Sequence, residues 1–144
     1  MNLQFNAAVV IDTDIYFSAK NFNGLFKLNL YDKSVHFIAH FPGDEVWTEH
    51  MHQFAIQHKG FMYFIPYFAH YLTKYNLQNG EIEKICIFNN CCDKAISCVL
   101  EFEHKYVLIP RKLSNPFAIF ALMISHSATW IRFRNKEEAS FFAK

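Results

Sequence analysis

The sequence predicts an all-β fold made of repeated four-stranded antiparallel units, and three observations lead to that prediction. Residues 15–41 align without a gap to residues 62–88, with eight of the 27 positions identical. Turn signals divide each of these units into short segments of strand length. The chain also contains 17 Phe and seven Tyr against four Gly, and aromatic side chains fit a pleated sheet well.

In the first unit, the opening strand is expected over residues 5–11, which match residues 52–58 at the same offset of 47. Polar and turn-forming residues at 12–14 and 31–33 mark the hairpin turns. The segments between and after these turns correspond to the later strands of the second unit.

The second unit shows the strand pattern most clearly. Its strands a, b, c and d are predicted over residues 52–58, 61–67, 71–77 and 82–88. A tight turn is expected at Lys59-Gly60. The next turn is expected at Gln78-Asn79-Gly80, because Asn-Gly readily adopts the positive φ that a two-residue hairpin requires.

A third unit is more weakly marked. Residues 96–102 and 106–110 match the second unit at an offset of 44, and residues 116–122 stand where its third strand stood. A last strand is expected near residues 129–134. The remaining residues, 135–144, read as a tail.

A four-stranded antiparallel unit that recurs every 40 to 50 residues or so is typical of a β-propeller blade. Strand b of the second unit, FMYFIPYF, is apolar throughout, as expected for a strand covered on both faces. We therefore expect one domain of about three blades, over residues 5–41, 52–88 and 96–134. The alternative is a single lipocalin-like β-barrel, which suits 144 residues but predicts alternating strands and no repeat.

The segments IYFSAKNFNGLFKLNL and FMYFIPYFAHYLTKYNLQNGEIEKI resemble blades of bacterial propellers of the Kelch or WD-repeat type. They share an apolar-aromatic strand b, a strand c that ends in Asn-Leu, and then a turn and a charged strand d. The doubled glycine of Kelch repeats and the Trp-Asp ending of WD repeats are absent. The resemblance implies a propeller and supplies no catalytic residue.

Charge and hydropathy exclude several classes of partner. Fourteen basic residues against 13 acidic ones leave a net charge of +1, which gives no field to attract nucleic acid or an anionic membrane. The longest apolar stretches, residues 61–72 and 116–125, are too short to span a bilayer. The N-terminus lacks a basic leader, so we expect a cytoplasmic location.

The four cysteines, Cys86, Cys91, Cys92 and Cys98, do not have zinc-site spacing and are expected to be reduced thiols. Nucleotide-binding and hydrolase signatures are also absent from the sequence. We expect no metal, no cofactor and no catalytic residue.

Binding residues are expected where the links between repeats (d to a) meet the b–c links within repeats. The long d–a link, residues 42–51, combines a Trp with carboxylates and imidazoles, as sites for sugars or small polar ligands do. His50 and His52, two positions apart in an extended segment, are expected to point the same way. The candidate ligand-binding residues are Trp47, Glu49, His50, His52, Tyr67, His70 and Arg111.

Two functions are compatible with this pattern. The first is a non-enzymatic propeller module whose loop face binds a protein or a glycan. The alternative is a carbohydrate-active hydrolase or lyase that uses Glu49, His50 and His52 at the channel mouth. Because neither the first nor the last unit has the polar outer face of a terminal repeat, we also expect a homodimer that closes a ring, or a fragment that lacks blades of a longer chain.

Overall fold

The computed structural model describes residues 4–85, 96–102, 105–111, 118–121 and 129–132. The chain divides into two compact units, Met1–Lys94 and Ala95–Lys144. The described residues form twelve β-strands and no helix, which confirms the all-β class. In this part of the chain there is accordingly no helix long and apolar enough to cross a membrane.

The first sheet is an antiparallel meander whose strands pair in chain order. It consists of β1 (Phe5–Ile11), β2 (Asp14–Ala19), β3 (Leu25–Asn29) and β4 (Val35–Ala39). Asp12 adopts a φ of 53° in the turn between β1 and β2, and Lys33 adopts 59° before β4. Asn29 stabilises the second turn, since its Oδ1 accepts the backbone N–H of Tyr31 at 2.9 Å. The turns predicted at residues 12–14 and 31–33 are confirmed.

The second sheet repeats the same meander. It consists of β5 (His52–His58), β6 (Phe61–Pro66), β7 (Leu72–Asn76) and β8 (Ile82–Ile85). Lys59 and Gly60 both have positive φ, 48° and 81°, and form the tight turn that was predicted. The turn predicted at Gln78-Asn79-Gly80 is confirmed, although it is longer than the two-residue type. Only Gly80 has positive φ, and the longer loop is closed by the hydrogen bond from its N–H to the Asn76 carbonyl at 2.9 Å.

The third sheet lies in the second compact unit. It consists of β9 (Ile96–Phe102), β10 (Lys105–Pro110), β11 (Ala118–Ala121) and β12 (Thr129–Arg132), paired in the order β12-β11-β10-β9. Each of the three sheets falls within one predicted repeat unit. Cys98 in β9 is a free thiol, whereas Cys86, Cys91, Cys92 and the tail at 135–144 lie outside the described residues.

The first and second sheets pack face to face through one apolar core. Its fully buried members include Leu25 of the first sheet with Met62 and Phe64 of the second, and Tyr16 contacts Tyr75 at 6.2 Å between ring centroids. Strand β6 is buried from Met62 to Pro66, on both faces, as its continuous apolar sequence predicted. In the alternative barrel all strands would belong to one sheet, whereas the described strands pair in three separate sheets.

Candidate functional site

Three links lie together at one end of the first two sheets. They are the β2–β3 link (residues 20–24), the β4–β5 link (residues 40–51) and the β6–β7 link (residues 67–71). In an antiparallel meander the second strand ends on the same side as the fourth, so these links share one end of the sheets. We call the three links together the loop surface.

We call the β4–β5 link the central link. Backbone hydrogen bonds connect it to the β2–β3 link on one side and to the β6–β7 link on the other. The N–H of His50 donates to the Lys20 carbonyl on one side. On the other side, the N–H groups of Tyr67 and Ala69 both donate to the Met51 carbonyl, at 2.7 and 3.0 Å. The predicted convergence of the d–a and b–c links is therefore confirmed for the first two repeats.

Asn23 anchors the first half of the central link. Its side chain is 1% exposed, and its Nδ2 donates to the carbonyls of Phe41 and Asp44 at 3.0 and 3.1 Å. Its Oδ1 accepts the N–H of Phe41 at 2.7 Å, and its own N–H donates to the Val46 carbonyl at 2.9 Å. A buried amide thus supplies the hydrogen bonds that this irregular backbone needs.

Asp44 and His70 form a hydrogen-bonded pair on the loop surface. The Nδ1–H of His70 donates to Oδ1 of Asp44 at 2.5 Å, and the backbone N–H of His70 donates to the same oxygen at 3.0 Å. The Asp44 side chain is only 7% exposed, while that of His70 is 53% exposed. Because Nδ1 is bonded to the carboxylate, Nε2 is the ring nitrogen that can form a hydrogen bond with a ligand.

His50 stacks on Tyr67 beside this pair. Their ring centroids are 4.2 Å apart with an interplanar angle of 23°. Burial, together with the charge of Lys20, lowers the pKa of His50 below its usual value. His50 is therefore a neutral imidazole at pH 7, and both it and Tyr67 are partly exposed.

Trp47 lies toward the first sheet. Its indole is 65% exposed and makes an edge contact with Phe22, at 5.5 Å between ring centroids. Glu49, two residues further along the link, is exposed. That Trp47 and Glu49 share a ligand with Tyr67 and His70 stays a prediction.

His52 does not line the loop surface as predicted, because its side chain is 0% exposed. Its ring contacts Phe41 at 4.4 Å and Phe64 at 5.6 Å, and burial lowers its pKa to about 3. The expected common direction of His50 and His52 is also wrong. His50 has a φ of 51° and precedes the strand, so the alternation of an extended segment does not apply to it.

Arg111 follows β10 and is exposed, but it belongs to the second compact unit. Its role in ligand binding stays a prediction. Among the residues that the structure describes, no group of three or more His, Cys, Asp or Glu side chains could hold a metal ion.

Gly43 lets the central link pass close to Tyr71 of the β6–β7 link. It has a φ of 88°, and an added Cβ would lie 2.7 Å from Cε2 of Tyr71. We expect Gly43→Ala to lower the free energy of unfolding by about 1–2 kcal/mol, through backbone strain and the contact with Tyr71. Urea denaturation measures the loss. Gly60→Ala is the control, since Gly60 has a φ of 81° with open space around it. Equal losses would refute the role of Tyr71.

Two roles were not predicted from the sequence, that of Asn23 as an anchor and that of Asp44 as the partner of His70. The repeat itself contained the signal, because an offset of 47 places Asn23 opposite His70. Both residues bind the same central link, one through its amide and the other through its imidazole.

Comparison with known proteins gives a structural neighbour only. No protein-family model matches the sequence, and no curated protein sequence matches it. Among solved structures, the chain is similar to the extracellular domain of a proposed one-component system from B. thetaiotaomicron, with a TM-score of 0.56 and 13% sequence identity. The match covers 89% of this chain and 17% of that chain, so this chain spans about a sixth of its neighbour.

Proposed function

We propose that the three sheets are blades of a β-propeller and that the loop surface of the first two binds a glycan without turnover. The 47-residue repeat, the four-stranded meanders and the face-to-face packing of the first two sheets support the blade assignment. The Asp44–His70 pair carries the proposal of a ligand site, because it holds an imidazole in one orientation at an exposed position.

The chemistry of the loop surface suits a polyhydroxylated ligand. Nε2 of His70 accepts a hydrogen bond from a sugar hydroxyl, while the stacked rings of His50 and Tyr67 offer a platform for a sugar face. The exposed indole of Trp47 provides a second aromatic surface on the same central link. Net charge contributes little, which fits a neutral ligand better than a polyanion.

The alternative of a hydrolase or lyase lacks support from His52. The enzymatic alternative requires His52 at the channel mouth, whereas its side chain is buried and cannot contact a substrate. A cytoplasmic location stays a prediction. The structural neighbour is an extracellular domain, and fractionation of the producing cell would distinguish the two locations.

A glycan array probed with the wild-type chain and with His70→Ala tests the proposed function. We expect the wild type to bind one class of neutral glycan, and His70→Ala to bind it about tenfold or more weakly, as for the loss of a hydrogen bond in a binding site. Circular dichroism and urea denaturation of the variant show whether it keeps the wild-type fold, because the nearly buried Asp44 loses its side-chain partner.

His36→Ala serves as the matched control. His36 is an exposed histidine of β4, outside the loop surface, and its replacement should leave glycan affinity unchanged. Equal binding by wild type and His70→Ala would refute the site. Release of reducing sugar from a bound glycan would instead favour the enzymatic alternative.

A further inference from the structure

The sequence contains two Asn-Gly dipeptides, Asn23-Gly24 and Asn79-Gly80. In such a dipeptide the backbone nitrogen of glycine can attack the side-chain amide carbon of asparagine, because glycine has no side chain to hinder the close approach. The same covalent reaction is thus available at two places in one chain. The structure gives these two places opposite surroundings.

The first dipeptide, Asn23-Gly24, is held in the interior. The Asn23 side chain is 1% exposed, and its amide forms three hydrogen bonds, with the carbonyls of Phe41 and Asp44 and with the N–H of Phe41. Gly24 is also buried, and an added Cβ would lie 2.6 Å from Cε2 of Phe26. The amide carbon of Asn23 can therefore reach the Gly24 nitrogen only after these bonds break and the link opens.

The second dipeptide, Asn79-Gly80, lies on the surface in the turn between β7 and β8. Both residues are exposed, and an added Cβ on Gly80 would meet the Tyr75 hydroxyl only at 3.8 Å. Oδ1 of Asn79 accepts the N–H of Glu81 at 3.0 Å, which folds the side chain back over the Gly80 peptide. A donor on this oxygen also stabilises the negative charge that develops there during attack on the amide carbon.

One hydrogen bond opposes the reaction in this turn. The Gly80 N–H donates to the Asn76 carbonyl at 2.9 Å, so the nitrogen must leave that partner before it attacks. The bond lies in an exposed turn, where local opening costs the least free energy. Opening at Asn23 instead disrupts the buried anchor of the central link, so the exposed turn should open far more often.

We propose that Asn79 is a site of spontaneous deamidation and that the fold protects Asn23 from the same reaction. The Gly80 nitrogen gives its proton to solvent and bonds to the Asn79 amide carbon. The bond from that carbon to Nδ2 breaks, and the nitrogen takes up a proton and leaves as ammonia, which closes a cyclic imide.

Solvent water then opens the imide ring by one of two routes. Cleavage of the bond to the side-chain carbon gives Asp, and cleavage of the bond to the backbone carbon gives isoaspartate. The net reaction consumes one water and releases one ammonia, with no oxidation or reduction. The modified residue carries a carboxylate in place of an amide.

Deamidation changes the charge of the turn. Nδ2 of Asn79 donates to Oε2 of Glu81 at 3.3 Å, and the reaction replaces this donor with a second carboxylate. Like charges at such a separation repel each other. The net charge of +1 is also lowered by one, so the product separates from the parent chain as a more acidic band on isoelectric focusing.

Timed incubation of the full chain in mildly alkaline buffer, followed by mass spectrometry of its peptides, tests the proposal. We expect Asn79 to convert about tenfold or more faster than Asn23, because the buried site reacts only from an opened state. The product at Asn79 should be a mixture of Asp and isoaspartate, whereas direct hydrolysis of the amide gives Asp alone. Asn79→Gln should remove most of the acidic band, because glutamine must close a larger ring.

The chain unfolded in guanidinium chloride is the matched control. Both asparagines are followed by glycine, so without the fold the two rates should lie within about twofold of each other. Equal rates in the folded chain overturn the proposal, as does a tenfold difference that persists in the unfolded chain. An Asn79 that reacts only after unfolding, or that yields Asp without isoaspartate, overturns it as well.

Discussion

Replacing Asn23 with Ala should lower the free energy of unfolding by about 3 kcal/mol, through loss of the central link's anchor. The amide makes three side-chain hydrogen bonds, two of them an exchange with the backbone of Phe41. Removing it leaves the N–H of Phe41 and the carbonyls of Phe41 and Asp44 without this partner. Each buried polar group left unsatisfied costs about 1–3 kcal/mol, and partial relaxation reduces the sum.

Urea denaturation of wild type and Asn23→Ala measures this loss. Asn21→Ala is the control from the same link, because Asn21 is partly exposed and the hydrogen bond that its Oδ1 accepts from the N–H of Gln4 is long, at 3.3 Å. Its replacement should cost less than about 1 kcal/mol. If the two variants lose equal stability, Asn23 is not the anchor.

The strands could be predicted from the sequence because the repeat supplies two versions of each. Tyr16 and Phe17 align with Tyr63 and Phe64. A strand that is weakly marked in one copy is therefore supported by the aligned residues of the other copy. The hairpin at residues 78–80 could not be predicted in detail, because Asn-Gly is compatible with several turns. Backbone hydrogen bonding between Asn76 and Gly80 selects one of them.

The candidate site was predictable only at the level of its links. Topology alone brings the d–a and b–c links to one end of the sheets, and the structure has them there. Which side chains reach the surface depends on irregular backbone, such as the φ of 51° at His50, that no periodicity describes. His52 illustrates the difference, since it lies in the core although it is only two positions after His50 on the loop surface.

The buried His52 should make the protein less stable as the pH falls below 6.5. Burial lowers the pKa of its imidazole from 6.5 to about 3, and neither ring nitrogen has a hydrogen-bond partner among the described residues. Below pH 6.5 the unfolded chain binds a proton at this residue that the folded chain excludes. The stability associated with neutral His52 is therefore fully present above pH 6.5 and is lost as the pH falls toward 3.

The size of this effect follows from proton linkage. Each pH unit between the two pKa values costs about 1.4 kcal/mol, so His52 should account for about 2 kcal/mol of stability lost between pH 6.5 and pH 5. His52→Phe removes the titrating group and places in β5 the residue that the first repeat has at the equivalent position, Phe5. We expect the variant to lose about 2 kcal/mol less than wild type over this interval.

Urea denaturation at pH 7, 6 and 5 gives the slope for each protein, and comparing slopes cancels any packing cost of the larger Phe ring. His36→Phe is the control, because it removes an exposed histidine outside the core and should leave the slope of wild type unchanged. Nitrogen-15 NMR of the His52 ring gives an independent measurement, which should show a neutral imidazole at pH 5. A protonated ring at pH 5, or equal slopes for wild type and His52→Phe, would mean that the core around Phe41 and Phe64 admits water.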